Sequence, residues 1–96
     1  MIPVLSAPAE LDLQGIWDQQ VRFFDERRAH LLLTQIFRLI YDLEAFPELG
    51  RKREEIAPGL RGLGIKDYVV LYTITIQGVT IMRVLHRHQD MRRIFP

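Results

Sequence analysis

The sequence predicts an α+β fold with the element order β-α-α-β-β-β, in which a helical hairpin packs on a mainly antiparallel sheet. The first half contains two stretches with apolar residues at helical spacing and almost no linker between them, which indicates two antiparallel helices. The last third contains two β-rich runs, residues 68–76 and 79–85, joined by a turn at Gln77 and Gly78. Helices and strands that are segregated along the chain in this way are typical of the α+β class.

Length and composition indicate one small domain spanning residues 1–96, because the 96-residue chain can form only one compact core. The chain has no cysteine, which excludes a disulfide scaffold, thiolate catalysis and cysteine-ligated zinc or iron–sulfur sites. It has no apolar run of about 18 residues and no signal-peptide pattern at its start. We therefore expect a cytoplasmic protein with no membrane partner and no cofactor.

Charge is distributed unevenly along the chain. Residues 1–48 carry four Arg and eight Asp or Glu, a net charge of −4, whereas residues 49–96 carry nine Lys or Arg and four Asp or Glu, a net charge of +5. This asymmetry predicts a basic functional face. The total of +1 is low for general nucleic-acid binding, which requires neutralising several phosphates. We expect a shaped protein partner and no sequence-specific DNA binding by this chain alone.

The individual elements follow from capping and periodicity. Residues 1–5 form a short strand, Ser6 caps the first helix over residues 8–24, and residues 25–28 link it to a second helix that ends near Phe46, before Pro47. Residues 48–59 are charged and lack an apolar period, so they predict a loop. Residues 60–65 then form a strand that turns at 66–67 and completes a three-stranded meander with the two later runs.

Alternation with a period of two predicts which residues of the last strand share a face. One face would carry Val79, Ile81, Arg83, Leu85 and Arg87, and the other Thr80, Met82, Val84, His86 and His88. Neither face is wholly polar, so both need cover. The helices cover one face, and a loop or a partner must cover the other.

The chain closes the last strand with an H-x-H-x-D pattern formed by His86, His88 and Asp90. Two histidines and a carboxylate could hold a metal, but no fourth ligand and no carboxylate to orient the histidines is evident, so we predict no metal site. Either histidine is suited to acid–base chemistry near neutral pH. The alternative is a hydrogen-bonded histidine at the sheet edge, followed by an aspartate that caps the next segment.

Cationic and aromatic side chains offer a second candidate site. Arginine suits phosphate oxygens, and the candidate group is Arg51, Lys52, Arg53, Arg61, Arg83 and Arg87. The alternative is a solvated loop whose cations form ion pairs with Glu54, Glu55 and Asp90. Arg61 and Arg83 interrupt apolar runs, so each must find a partner or face a site. Tyr68 and Tyr72 could stack bases, but such a pair is more often core. Trp17 is expected in the core.

Taken together, these residues resemble the ParE/RelE superfamily of small bacterial toxins. The resemblance keeps order and spacing over almost the whole chain. It lies in four segments: Ser6 to Glu10 with Asp12, Leu13, Ile16 and Trp17; Leu43, Phe46, Pro47 and Gly50; Gly59, Leu60 and Arg61; and Tyr68 to Tyr72 with Arg83 to His86 and Asp90.

The resemblance implies a growth-inhibiting toxin of a bacterial type II toxin–antitoxin system, neutralised by a cognate antitoxin. ParE-like members poison DNA gyrase by binding, whereas RelE-like members cut messenger RNA on the ribosome. RelE-like members cut RNA with a dense group of lysines and arginines and often a C-terminal tyrosine or histidine. This chain has only two lysines and no tyrosine after Tyr72. The chain is therefore predicted to be ParE-like and not an enzyme. The alternatives are a ribosome-dependent endoribonuclease acting through Arg61, Arg83 and His86, and a non-toxic module that only binds the antitoxin.

Two binding surfaces are predicted on the ParE reading. The basic, apolar-tipped C-terminal part is the candidate gyrase-binding surface, formed by Arg83, Arg87, His88, Met91, Arg92 and Phe95. The exposed apolar parts of the two helices and the sheet edge are expected to form a groove for an amphipathic helix or an added strand of the antitoxin.

Overall fold

The computed structural model describes residues 2–95, which form a five-stranded sheet and three helices. The elements in chain order are β1 Val4–Leu5, α1 Ala7–Phe23, α2 Glu26–Ala45, β2 Arg51–Lys52, β3 Leu60–Ile65, β4 Tyr68–Thr75, β5 Gly78–His86 and α3 Met91–Ile94. The predicted α+β class and the helical hairpin on a sheet are confirmed. The short elements β2 and α3 are additions to the predicted order.

The sheet has the strand order β1-β5-β4-β3-β2. β3, β4 and β5 form the predicted antiparallel meander, and β2 extends it antiparallel to β3. β1 pairs parallel with β5, which places the start of the chain beside its last strand. The sheet is therefore mainly antiparallel, as the sequence predicts.

Side-chain caps begin both long helices. The Ser6 hydroxyl accepts a hydrogen bond from the backbone N–H of Ala9, and the Asp25 carboxylate accepts one from the N–H of Arg28. Because Asp25 caps its N-terminus, α2 begins at Glu26, directly after a very short bend. The prediction that residues 25–28 link the two helices is therefore wrong. α2 ends at Ala45, as expected before Pro47.

A β-bulge interrupts the period of β5. Tyr72 lies opposite Ile81 and Leu71 lies opposite Arg83, so Met82 is the extra residue. Val79 and Ile81 pack in one core cluster with Val84, whereas Leu85 packs in a second cluster. The prediction that Leu85 shares a face with Val79 and Ile81 is wrong, because the bulge inverts the alternation after Met82.

The two core clusters lie on opposite faces of the sheet. The larger cluster joins α1 and α2 to β4 and β5, with Ile36, Leu43, Val70, Tyr72 and Ile81 fully buried in it. The smaller cluster consists of Ile56, Leu60, Leu71, Leu85 and Met91. The chain itself thus covers the second face, through the loop before β3 and through α3. No helix of residues 2–95 is long and apolar enough to cross a membrane.

Candidate functional site

The polar residues near the start of α1 complete the open edge of β5. β1 pairs with β5 only through Val4 and Leu5, so the β5 edge beyond Ile81 needs other partners. The Ser6 hydroxyl donates to the Met82 carbonyl at 2.8 Å. The Asp12 carboxylate accepts from the Val84 N–H at 2.9 Å. Ser6 and Asp12 therefore tie α1 to the sheet where the strand ladder stops.

Arg83, a predicted site residue, is bound to the same carboxylate. Its Nε and Nη2 atoms donate to the two oxygens of Asp12 at 2.7 and 2.8 Å, a bidentate pair that is largely shielded from solvent. The hydrogen bond to Asp12 raises the pKa of the Arg83 guanidinium. Arg83 thus finds the partner that an arginine in an apolar strand requires, and this partner lies within the chain.

The loop between α2 and β2 is fixed by one buried hydroxyl. The Tyr72 hydroxyl donates to the Pro47 carbonyl at 2.7 Å and accepts from the Gly50 N–H at 2.8 Å. A Cβ atom on Gly50 would lie 2.7 Å from this oxygen, so only glycine fits there. Burial raises the pKa of the Tyr72 hydroxyl, which keeps it protonated. Tyr68 and Tyr72 are both buried, so they belong to the core and present no base-stacking surface.

Arg61 fixes the same loop from β3. Its Nη1 atom donates to the Gly50 carbonyl at 2.7 Å and to the Glu48 carbonyl at 3.4 Å. Phe46 and Leu49 are 65% and 52% exposed on this loop. Arg61 therefore acts as a brace for a loop that presents apolar side chains to solvent.

The histidine cluster lies at the end of β5. The His86 ring meets the Tyr68 ring edge-on, with centroids 5.4 Å apart, and the His88 ring lies 5.1 Å from His86. The backbone N–H of His88 donates to Nδ1 of His86 at 3.3 Å. Asp90 is the N-cap residue of α3, but its carboxylate makes no capping hydrogen bond and instead lies 3.9 Å from Nε of Arg93. Among the described residues, no group of three or more His, Cys, Asp or Glu side chains is arranged to hold a metal ion.

The residues of the alternative nuclease site do not converge. Arg61 lies opposite Tyr72 on β4, and His86 lies opposite Tyr68, which is four residues away on the same strand. At about 3.3 Å per residue, the two are about 13 Å apart along the strand direction alone. Arg61 braces a loop and Arg83 binds Asp12. Of the predicted cations, Arg61 is therefore remote from His86 and Arg83 is paired with Asp12, whereas RNA cleavage would need a cation beside the acid–base group.

Of the six residues of the predicted gyrase-binding surface, Arg83 is paired with Asp12, and the other five divide into two groups. Arg87, His88 and Arg92 are exposed. Met91 is buried, and Phe95 packs against the smaller core cluster. The apolar side chains of the C-terminal segment therefore serve the core, while its charged side chains face solvent.

A groove runs between the two long helices, and we call it the interhelical groove. It has a volume of about 760 Å³ and includes Leu5 at the sheet edge. Its apolar lining residues include Leu13, Trp17, Leu33, Phe37 and Tyr41. Trp17, expected in the core, is half-buried against the core and also lines this groove. The predicted groove across the helices and the sheet edge is thus present.

A second groove lies where α1 bends into α2, beside the β3–β4 turn and the end of β5, and we call it the hairpin-end groove. It has a volume of about 680 Å³. Phe23, Phe24 and Leu31 line it and are 66%, 54% and 53% exposed. The sequence did not predict this groove: Phe24 was expected within the first helix, whereas it follows the last helical residue and is exposed. The adjacent pair Phe23 and Phe24 at the end of a helix was the available signal, since a single buried stripe cannot hold both.

The chain is thus a small α+β protein with two apolar grooves on its helical hairpin. The family model described as "ParE toxin of type II toxin-antitoxin system, parDE" matches residues 4–91. The chain belongs to this family of ParE toxins.

Individual relatives agree with this assignment. The chain is 32% identical over 91 residues to Toxin ParE1 of Mycobacterium tuberculosis, covering 94% of this chain and 93% of that one. It is 32% identical over 88 residues to Toxin ParE3 of Caulobacter vibrioides, covering 92% and 88% of the two chains. A solved structure titled "Chromosomal ParDE TA system from P. aeruginosa" has the same fold, with a TM-score of 0.79, 20% identity and coverage of 90% and 95%.

Proposed function

We propose that this ParE-family toxin inhibits DNA gyrase by binding it, and that a cognate antitoxin neutralises the toxin. The family match over residues 4–91 carries the toxin assignment. The separation of Arg61 from His86 along β4 and the internal partners of Arg61 and Arg83 favour a binding mode of action over RNA cleavage. On this proposal the toxin acts in the cytoplasm, where gyrase works.

Gyrase inhibition is tested with purified components. The toxin is mixed with gyrase, supercoiled DNA and ATP. The amount of linear DNA is then measured after the enzyme has been denatured. The proposal predicts that linear DNA accumulates with toxin concentration and that DNA incubated with toxin alone stays intact. Cleavage of ribosome-bound messenger RNA, with no effect on gyrase, would favour the nuclease alternative instead.

The interhelical groove supports antitoxin binding. It is mostly apolar, with Phe37 38% exposed and Tyr41 59% exposed, and a groove of this kind accepts the apolar face of an amphipathic helix. It also reaches Leu5 on β1, whose outer side is an open sheet edge, since β1 is the last strand on that side. An antitoxin segment can therefore continue from helix to added strand without leaving this surface.

Charge substitution in the groove tests this placement. Phe37→Asp introduces a carboxylate among apolar side chains, and we expect antitoxin affinity to fall by about 2 kcal/mol or more, as for a residue central to an interface. Leu11→Asp is the matched control, because Leu11 is 74% exposed on α1 and does not line the groove. Titration calorimetry with the antitoxin measures both. Unchanged affinity of the Phe37 variant, with an intact fold, would place the antitoxin elsewhere.

The gyrase-binding surface remains a proposal centred on Arg87, His88 and Arg92, with Arg83, Met91 and Phe95 holding their backbone in place. The exposure of the three polar side chains supports this assignment. Arg92→Glu leaves the core contacts of Met91 intact, so a fall in gyrase affinity would report on the surface itself. Arg92→Glu with undiminished gyrase poisoning would remove α3 from the surface.

A further inference from the structure

The hairpin-end groove is an apolar surface with a cationic rim. The exposed side chains of Phe23, Phe24 and Leu31 form its apolar part. Arg28 and Lys66 stand at its rim, with the Arg28 guanidinium 4.2 Å from the centre of the Phe24 ring. The acidic residue that lines this groove is Asp67.

The two rim cations are available to a partner. Within residues 2–95, neither Arg28 nor Lys66 takes part in an ion pair. The turn that carries Lys66 is held in place, because the Arg87 side chain donates to the Lys66 carbonyl and the Arg87 N–H donates to the Asp67 carbonyl at 2.8 Å. The turn side of the groove is therefore fixed before binding, which reduces the entropy lost on association.

The antitoxin groove does not account for this surface. At 3.6 residues per helical turn, Leu31 and Gln35 lie on one side of the buried stripe of α2, whereas Phe37 and Tyr41 lie on the other side. Two partners can thus contact α2 from opposite sides. A second copy of this chain is a poor occupant, because a two-fold contact would bring Arg28 and Lys66 close to their own copies.

The groove is continuous with the proposed gyrase-binding residues. His86 lines it, and Arg87 and His88 follow directly along the chain. We propose that the hairpin-end groove binds a segment of gyrase that carries apolar side chains flanked by Asp or Glu. This inference rests on the proposed function and extends the gyrase-binding surface from the C-terminal segment to the bend of the helical hairpin.

The test compares rim and control substitutions in the gyrase cleavage assay. Arg28→Glu and Leu31→Asp alter the groove, and their controls are Arg27→Glu on the same helical turn and Leu11→Asp on α1, neither of which lines it. We expect each groove variant to need at least about tenfold more toxin for half-maximal DNA cleavage, equivalent to losing one well-buried contact. Antitoxin affinity should stay within about twofold of the unsubstituted toxin, and both controls should match it.

The outcomes separate this inference from the proposed function. Groove variants that fold and poison gyrase as well as the unsubstituted toxin would overturn the inference alone. Loss of antitoxin binding by the groove variants, or a toxin dimer that Leu31→Asp dissociates in sedimentation, would also overturn it, by giving the groove another occupant. Failure of the unsubstituted toxin to trap cleaved DNA would overturn the proposed function and this inference together.

Discussion

The hydroxyl of Tyr72 serves two backbone groups that have no other described partner. Tyr72→Phe would leave the Pro47 carbonyl and the Gly50 N–H without it, in a site largely closed to water. We expect the free energy of unfolding to fall by about 2 kcal/mol. Urea denaturation measures the change. Tyr41→Phe is the control, because Tyr41 is 59% exposed, and a loss of equal size there would contradict the explanation.

Two glycines should respond in opposite directions to replacement by alanine. A Cβ on Gly50 would lie 2.7 Å from the Tyr72 hydroxyl oxygen and 2.9 Å from the Gly62 carbonyl oxygen, so Gly50→Ala must displace the loop. Gly15 lies within α1 with nothing within 4 Å of the added atom. We expect Gly15→Ala to raise the melting temperature, with a gain of about 0.5–1 kcal/mol, and Gly50→Ala to lower it. Equal responses would refute the steric argument.

Asp12 joins α1 to β5 through three hydrogen bonds, two from Arg83 and one from the Val84 N–H. Asp12→Ala leaves a partly buried guanidinium and an edge N–H without their acceptor. We expect a loss of about 2–3 kcal/mol in the free energy of unfolding. The double variant Asp12→Ala, Arg83→Ala tests the pairing by chemical denaturation. If the double variant loses as much stability as Asp12→Ala and Arg83→Ala lose in sum, the two residues do not act as a pair.

Among the elements, α3 has a structural role, so its deletion would change stability as well as any function of the C-terminal segment. Met91 is buried with Leu60, Leu71 and Leu85, and Ile94 and Phe95 pack beside it. Deleting the chain after Asp90 should therefore cost about 3 kcal/mol of stability by exposing this cluster. Thermal unfolding of the truncated chain checks this. A truncated chain as stable as the full one would show that the second sheet face needs no cover from α3.

The elements also show what sequence reasoning can reach. The helices and the meander were predictable, because their apolar spacing and the turn at Gln77 and Gly78 are local signals. The bulge at Met82 was not predictable, since it depends on the register with β4 and on partners as distant as Ser6 and Asp12. β2 consists of two exposed residues without an apolar period, so no pattern in the sequence predicts it.

The same distinction applies to the candidate sites. Arg61 and Arg83 were identified as arginines that need a partner, and the structure supplies one for each within the chain. Whether such a residue holds a loop or faces a ligand depends on contacts with residues that are distant in the sequence. Arg61 contacts Gly50 and Arg83 contacts Asp12, and the spacing of residues alone does not encode these contacts. The interhelical groove was predictable from the amphipathic helices, whereas the hairpin-end groove is formed by α1, α2, the β3–β4 turn and the end of β5, which meet only in the fold.

The molecule as a whole offers two grooves on opposite sides of α2 and a sheet whose second face is covered by its own chain. On the proposed function, the antitoxin and gyrase contact α2 from different sides, so substitutions in one groove should weaken one partner and spare the other.

The most direct test of this account is made in growing bacteria that lack the antitoxin. The toxin is induced from a tight promoter, and DNA synthesis and protein synthesis are pulse-labelled in the same culture. Gyrase poisoning predicts that DNA synthesis falls first, together with signs of DNA breakage. An earlier fall in protein synthesis would contradict it in favour of messenger RNA cleavage. Undisturbed growth at full expression would also contradict it, in favour of a non-toxic antitoxin-binding module.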